Sequence, residues 1–116
     1  MIIQSFNTII YCSNWTATVA FYEKVLHLPI HFANEWFVEF NLTANARLSV
    51  AHDLRSSIKS GKGAGLTISL EVEDIKKAHV LMTESGLSPS TIKKIWESAT
   101  FIIHDPEGNR IEFWSK

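Results

Sequence analysis

Arg110, Glu112 and Trp114 in "RIEFWS" stand at every second position, the spacing that sets side chains on one face of a β-strand. A guanidinium, a carboxylate and an indole sharing a face can do two kinds of chemistry. Among apolar neighbours, Glu112 suits general acid or base work, provided that neither Arg47 nor Arg110 pairs with it. Hydrogen-bonded or paired, the same carboxylate suits recognition of a cationic or hydrogen-bond-donating ligand, with Trp114 as a stacking surface.

The elements that must position these residues are legible nearby. "ATFIIH" and "RIEFWS" alternate, and "DPEGN" joins them: Asp105 can accept hydrogen bonds from its own turn, Pro106 fixes φ, and Gly108 supplies positive φ. A hairpin with its turn at 105–109 sets His104 opposite Arg110, Ile102 opposite Glu112 and Thr100 opposite Trp114. Those six residues share one face. Phe101, Ile103, Ile111 and Phe113 share the other, which must be core.

The same order occurs twice. "NTIIYC" predicts a strand. A helix capped by Asn14 follows, with Trp15, Val19, Tyr22 and Leu26 at helical spacing, and then a hairpin from "WFVEFN", the turn-like "NLTANA" and "RLSVAH". After the polar, glycine-rich stretch 53–65 come the strand "LTISLEV" and a helix capped by Asp74. That helix carries Ile75, Ala78, Leu81 and Met82 on one face and ends at Gly86, before the hairpin already described. Adding 60 carries Asn7 to Thr67 and Asn14 to Asp74; adding 63 carries Val38 to Phe101, Ser49 to Glu112 and Val50 to Phe113. The hairpins keep the same period-2 phase, which points to an internal duplication: module one 1–52, linker 53–65, module two 66–116.

By that repeat Trp36, Val38, Phe40, Leu48 and Val50 are core in the first half. Phe37, Glu39, Asn41, Arg47, Ser49 and Ala51 lie on the mixed face, joined from the first strands by Asn7, Ile9 and Tyr11 and by Thr67, Ser69 and Glu71. Such a face, apolar with a few placed polar groups, has the composition of a cavity lining. Tyr11, Phe37, Ile102, Trp114 and Trp96, the last from the loop entering the second hairpin, would supply apolar and stacking surface. Glu39, Glu112, His104 and Arg110 would orient a ligand.

Composition limits the partners. Of 116 residues 46% are hydrophobic and 20% charged, ordinary for a single domain, and 11 basic against 12 acidic side chains leave no basic stripe for nucleic acid or an anionic membrane. Cys12 has no second cysteine to pair with and reads as a small buried hydrophobe. The opening "MIIQSFNTII" lacks a basic segment before a long apolar one, so the expected location is the reducing cytoplasm.

"AFYEKVLHL" after a first strand, then "WFVEF", then "DPEGNRIEFW" resembles the vicinal oxygen chelate superfamily, which includes glyoxalase I, extradiol dioxygenases and bleomycin-resistance proteins. His27 departs from the pattern, since glycine is usual there. The resemblance implies an α+β fold of two tandem βαβββ modules forming a cupped, largely antiparallel sheet with helices on its outer face. It also implies a homodimer, with exchange of modules sterically open because residues 53–65 can reach roughly 40 Å when extended.

Metal-dependent members bind a divalent ion through four positions, which fall here on Asn7, Ser49, Thr67 and Glu112. Only Glu112 is a good ligand, whereas a catalytic transition-metal site needs about three imidazole, carboxylate or thiolate donors. His104, Glu112 and Glu39 form a fallback set only if the strands curve unusually. His52 is out of phase with Ser49, and His27, His31 and His79 fall at helix ends or surfaces. The expectation is metal-independent, cofactor-free binding of a small amphipathic or aromatic ligand, of the bleomycin-resistance kind. The alternative is a lyase or isomerase that uses Glu112 as base or recruits a metal through other ligands.

Overall fold

The computed structural model describes residues 1–116, which divide into two compact units, Met1–Lys62 and Gly63–Lys116. Each has one four-stranded mixed sheet and one helix, an α+β arrangement. In the first, β1 (Phe6–Cys12), helix α1 (Trp15–Ala20), β2 (Ile30–Ala33), β3 (Phe37–Thr43) and β4 (Ala46–His52) give the sheet order β1-β4-β3-β2. In the second, β5 (Thr67–Glu71), α2 (Ile75–Glu84), β6 (Lys93–Ile95), β7 (Ser98–His104) and β8 (Arg110–Ser115) give β5-β8-β7-β6. In each sheet the first and last strands pair in parallel and the other pairs are antiparallel. The repeat read from the hairpins therefore extends to connectivity.

The hairpin residues assigned to the core are there. Val38, Phe40, Leu48 and Val50 are buried in the first unit, with Ile10, Cys12, Thr18, Phe21 and Tyr22. Phe101, Ile103, Ile111 and Phe113 are buried in the second, with Ile68, Ile75 and Met82. Full burial of such a side chain is worth about 1.5–3 kcal/mol. Trp36 is the exception: it precedes β3 and is only half-buried.

The first helix departs from a uniform 3.6-residue period. Asn14 takes the N-cap position, and its carbonyl accepts from Thr18 N (3.1 Å) and Thr18 Oγ1 (2.7 Å). From Phe21 to Val25 the helix widens into a π turn, so its buried positions are Thr18, Phe21 and Tyr22, with Val19 and Leu26 only partly covered. It closes on His27 at φ 54, with Leu28 N bonded to Tyr22 O at 3.0 Å. A left-handed residue is required there, which is why a glycine would suit the position.

In α2 Asp74 caps as expected, its carboxylate accepting from Lys77 N at 3.1 Å, and Gly86 takes φ 87 at the C-terminal end. Of the expected face Ile75 and Met82 are buried and Ala78 is partly covered, but Leu81 is not packed and His79 is partly covered instead. Leu81 is 49% exposed, whereas the His79 ring meets Phe101 edge-on at 5.0 Å and its Nε2 lies 3.0 Å from Ser90 O. The His79 ring is held on that side by an aromatic neighbour and a backbone carbonyl.

Two further differences concern loops. β3 runs on to Thr43, so the turn expected across "NLTANA" shrinks to Ala44 and Asn45. The stretch expected as linker begins as a folded cap on the first unit: a 3-10 turn, Asp53–Arg55, with Asp53 buried, its Oδ2 accepting from Ser60 N and its carbonyl from Lys59 Nζ.

The turn at 105–109 is built as its residues demand. Asp105 Oδ1 accepts from Glu107 N and Asn109 N, and Oδ2 from Asn109 Nδ2, all at 2.9 Å. Gly108 adopts φ 92. Gly63 lies so close to Gly108 that no side chain fits between them. "DPEGN" is thus a structural clasp that holds the start of β8, where Arg110, Glu112 and Trp114 begin.

Candidate ligand-binding faces

With the helix on one face of each sheet, the other face carries the mixed set of side chains. In the first unit, register puts Asn7, Arg47 and Asn41 in one row, Ile9, Ser49, Glu39 and Phe32 in the next, and Tyr11, Ala51 and Phe37 in the third. The third row is the aromatic end. Phe37 meets Phe32 at 6.5 Å and Trp36 at 5.6 Å between ring centres, and Tyr11 is half-buried beside Ala51.

The other two rows form one polar network. Ser49 Oγ donates to Asn7 Oδ1 (2.8 Å), and Asn7 Nδ2 donates to Glu39 Oε1 (3.3 Å). Glu39 Oε2 lies 2.5 Å from His31 Nδ1 and 3.7 Å from Arg47 Nε, and Arg47 Nε donates to Asn41 Oδ1. The sequence reading missed His31, whose neighbour Phe32 also faces Glu39. Two adjacent strand residues normally point to opposite faces; here the ladder slips between Ile30 and Phe32, and the bulge turns His31 onto the carboxylate. A recess of about 530 Å³ opens beside this network, lined by Leu28, Pro29, His31, Asn41, Thr43 and Arg47.

In the second unit the hairpin register is as expected: His104 opposite Arg110, Ile102 opposite Glu112, Thr100 opposite Trp114. The parallel pair adds Thr67 beside Arg110, Ser69 beside Glu112 and Glu71 beside Trp114. Glu112 is half-buried, and its Oε1 accepts from Ser69 Oγ at 2.7 Å. Arg110 turns the other way, donating from Nη1 to Thr67 Oγ1 at 3.0 Å, and forms no ion pair with Glu112. His104 is exposed.

Trp114 and Ile102 are half-buried on this face, and Thr100 Oγ1 between Trp114 and β6 is buried without a hydrogen-bond partner. Trp96 stands apart from the others: it occupies the tip of the β6–β7 turn at φ 58, 97% exposed. Tyr11, Phe37 and Glu39 thus gather on the first face, and Ile102, His104, Arg110, Glu112 and Trp114 on the second.

The four positions that hold metal in related enzymes do not suit one here. Asn7 and Ser49 bond to each other, and the Thr67 hydroxyl already accepts from the cationic guanidinium of Arg110. Neither hydroxyl nor amide replaces an imidazole for a transition metal, and no three His, Cys, Asp or Glu side chains converge.

Comparison with known proteins agrees with this architecture. A structure of lactoylglutathione lyase from Agrobacterium tumefaciens is similar over 95% of this chain and 91% of its own, with TM-score 0.80 and 19% identity. TnmS3, an antibiotic binding protein from Streptomyces sp. CB03234, is similar over 99% and 95%, with TM-score 0.80 and 15% identity. A superfamily member from Sphaerobacter thermophilus covers 100% and 99%, with TM-score 0.81 and 22% identity. No curated protein matches in sequence. No helix is long and apolar enough to cross a membrane. The family model matches residues 4–113, nearly the whole chain and both sheets, and the chain belongs to the Glyoxalase/Bleomycin resistance protein/Dioxygenase superfamily.

Proposed function

We propose that this protein binds a small, partly aromatic molecule without a metal ion and serves to sequester or sense it. The observation that carries the reading is the state of the family's metal positions: Asn7 and Ser49 satisfy each other, and Thr67 holds Arg110. The same faces keep aromatic rings, Tyr11 and Phe37 on one and Trp114 on the other, with carboxylates and arginines placed beside them. That is the chemistry of a binding surface for an amphipathic molecule. The likeness to an antibiotic binding protein supports the reading, since it shows this fold used for holding a ligand. A homodimer in the cytoplasm is the expected setting.

The test is a panel of planar ligands followed by tryptophan fluorescence and melting temperature. Trp96→Phe removes the exposed indole, so quenching that survives it reports on the faces. Binding predicts quenching with a raised melting temperature; a broad panel that moves neither overturns the proposal. One feature favours a second reading, a lyase or isomerase with Glu112 as base: no protein donor reaches Glu112 Oε2. Metal analysis of protein purified without chelator separates a metal-dependent form of that enzyme, since one tightly held transition-metal ion per chain would exclude metal-free binding.

A further inference from the structure

The two units use the same strand positions differently, and the difference indicates what the second face binds. Arg47 and Arg110 are related by the repeat. Both lie on the last strand of their unit, one alternate position from Ser49 and Glu112 respectively. In the first unit the charges close on one another, with Glu39 held by His31 and Arg47. In the second they do not. Arg110 gives one N–H to Thr67 and keeps the rest of its fork; Glu112 takes one hydroxyl from Ser69 and keeps Oε2. Two opposite charges two residues apart on one strand each hydrogen-bond to β5 rather than to each other.

These bonds orient the groups without neutralising them. Ser69 fixes Glu112 through Oε1 and Thr67 fixes Arg110 through Nη1, so each remaining polar edge is available to a molecule lying along β8. Along that strand the order is cation, anion, ring, in steps of about 6.7 Å. His104, directly across from Arg110, adds a second donor at the cationic end. At the far end Trp114 is half-buried beside Thr100, whose hydroxyl has no partner.

Resting on the binding reading above, we infer that the β8 face takes a zwitterionic ligand with a planar ring: its anionic group on Arg110 and His104, its ammonium or amine on Glu112, its ring on Trp114. A purely apolar aromatic would leave a half-buried carboxylate desolvated beneath it, and a simple anion would leave Glu112 facing like charge. A ligand bearing both charges answers both groups at once.

The experiment uses four probes with one ring: 4-nitrophenylalanine, its carboxamide, its N-acetyl derivative, and 4-nitrotoluene. Affinities for the whole protein are measured by calorimetry, with fluorescence quenching as a second readout. The free zwitterion is expected to bind at least about tenfold more tightly than either singly masked probe, the scale of one charge-assisted hydrogen bond. Arg110→Gln should abolish the preference for the acid over the carboxamide and leave the preference for amine over acetamide. Glu112→Gln should do the reverse. Unchanged melting temperatures show that neither variant acts through folding.

Equal binding of all four probes to the wild type, or one variant erasing both preferences, overturns the charge assignment while leaving planar-ligand binding intact. Absence of binding by any probe also overturns it; the broad panel then decides separately whether the protein binds small molecules.

Discussion

Replacing Gly63 by alanine tests the claim that the motif before β8 is a clasp. A Cβ at Gly63 would fall 2.1 Å from Gly108 O, 2.6 Å from Gly108 C and 3.1 Å from Asn109 N, on a residue with φ +85. To reach the 3.4 Å of ordinary contact the two backbones must part by about 1.3 Å. The turn that moves is the one held by three bonds to the Asp105 carboxylate. Left-handed strain on alanine costs about 1–2 kcal/mol, overpacking about 1–3, and one or more weakened turn bonds about 1 each. The sum is about 3–6 kcal/mol, which lowers a urea midpoint by about 2–4 M at a slope of about 1.5 kcal/mol per M. Gly65 and Gly61 are internal controls, because neither has a neighbour within 4 Å and only Gly65 has positive φ, +71. Gly65→Ala should cost about 1 kcal/mol from backbone strain alone, and Gly61→Ala should be neutral or stabilising by up to about 1. If Gly63→Ala falls within about 1 kcal/mol of Gly65→Ala in urea denaturation followed by circular dichroism, the close approach of 63 to 108 is not a constraint and the clasp reasoning fails.

Further outcomes follow from the same structure. His27→Gly should stabilise the protein by about 0.5–1 kcal/mol, because it relieves a side chain held at φ 54; a lower melting temperature would show that the imidazole contributes more than its backbone costs. Asp105→Ala should cost about 2–4 kcal/mol, since it leaves Glu107 N and Asn109 N without their acceptor in a buried turn; thermal melts read this directly. Ser49→Ala should cost about 1–2 kcal/mol through Asn7 and should leave metal content unchanged in elemental analysis, whereas a metal-holding Ser49 would lose metal on substitution. Light scattering at micromolar concentration should give twice the chain mass, and a single-chain mass throughout would remove the homodimer.

What the sequence makes legible depends on how local the cause is. β3, β4, β7 and β8 are readable because Val38, Phe40, Leu48, Val50 and their counterparts alternate with polar residues, and alternation fixes both strand and face. The Asp105 turn, the Asp74 cap and the left-handed Gly86 are readable because each rests on a few adjacent residues. The π turn at Phe21–Val25 is not, since a 3.6-residue template assigns Val19 and Leu26 the positions that Thr18 and Phe21 fill. His79 is hidden in a similar way: whether a histidine outranks Leu81 for the packed face depends on Phe101 and Ser90, distant in sequence. For the candidate site, the row-by-row placement of Glu112, Trp114, Ile102 and His104 follows from the hairpin alone. The partners do not. Arg110 bonding to Thr67, and Glu112 to Ser69, are choices made across a parallel pair that no local pattern encodes.

The divergence of the halves turns on which strand carries the acid. In the middle row of each face an acid stands with a serine and an isoleucine, but on a different strand: Glu39 on β3 opposite Ser49 in the first unit, Glu112 on β8 between Ser69 and Ile102 in the second. On β3 the carboxylate of Glu39 borders the edge strand β2, whose bulge delivers His31, and it is also within reach of Arg47. On β8 the carboxylate of Glu112 has an apolar residue on one side and only the Ser69 hydroxyl on the other. Placing the acid on β8, away from the strand that corresponds to the bulged β2, therefore removes those partners without removing its charge. The first face becomes a self-satisfied polar network with an aromatic end, and the second keeps electrostatic demand that only a bound molecule or water can meet.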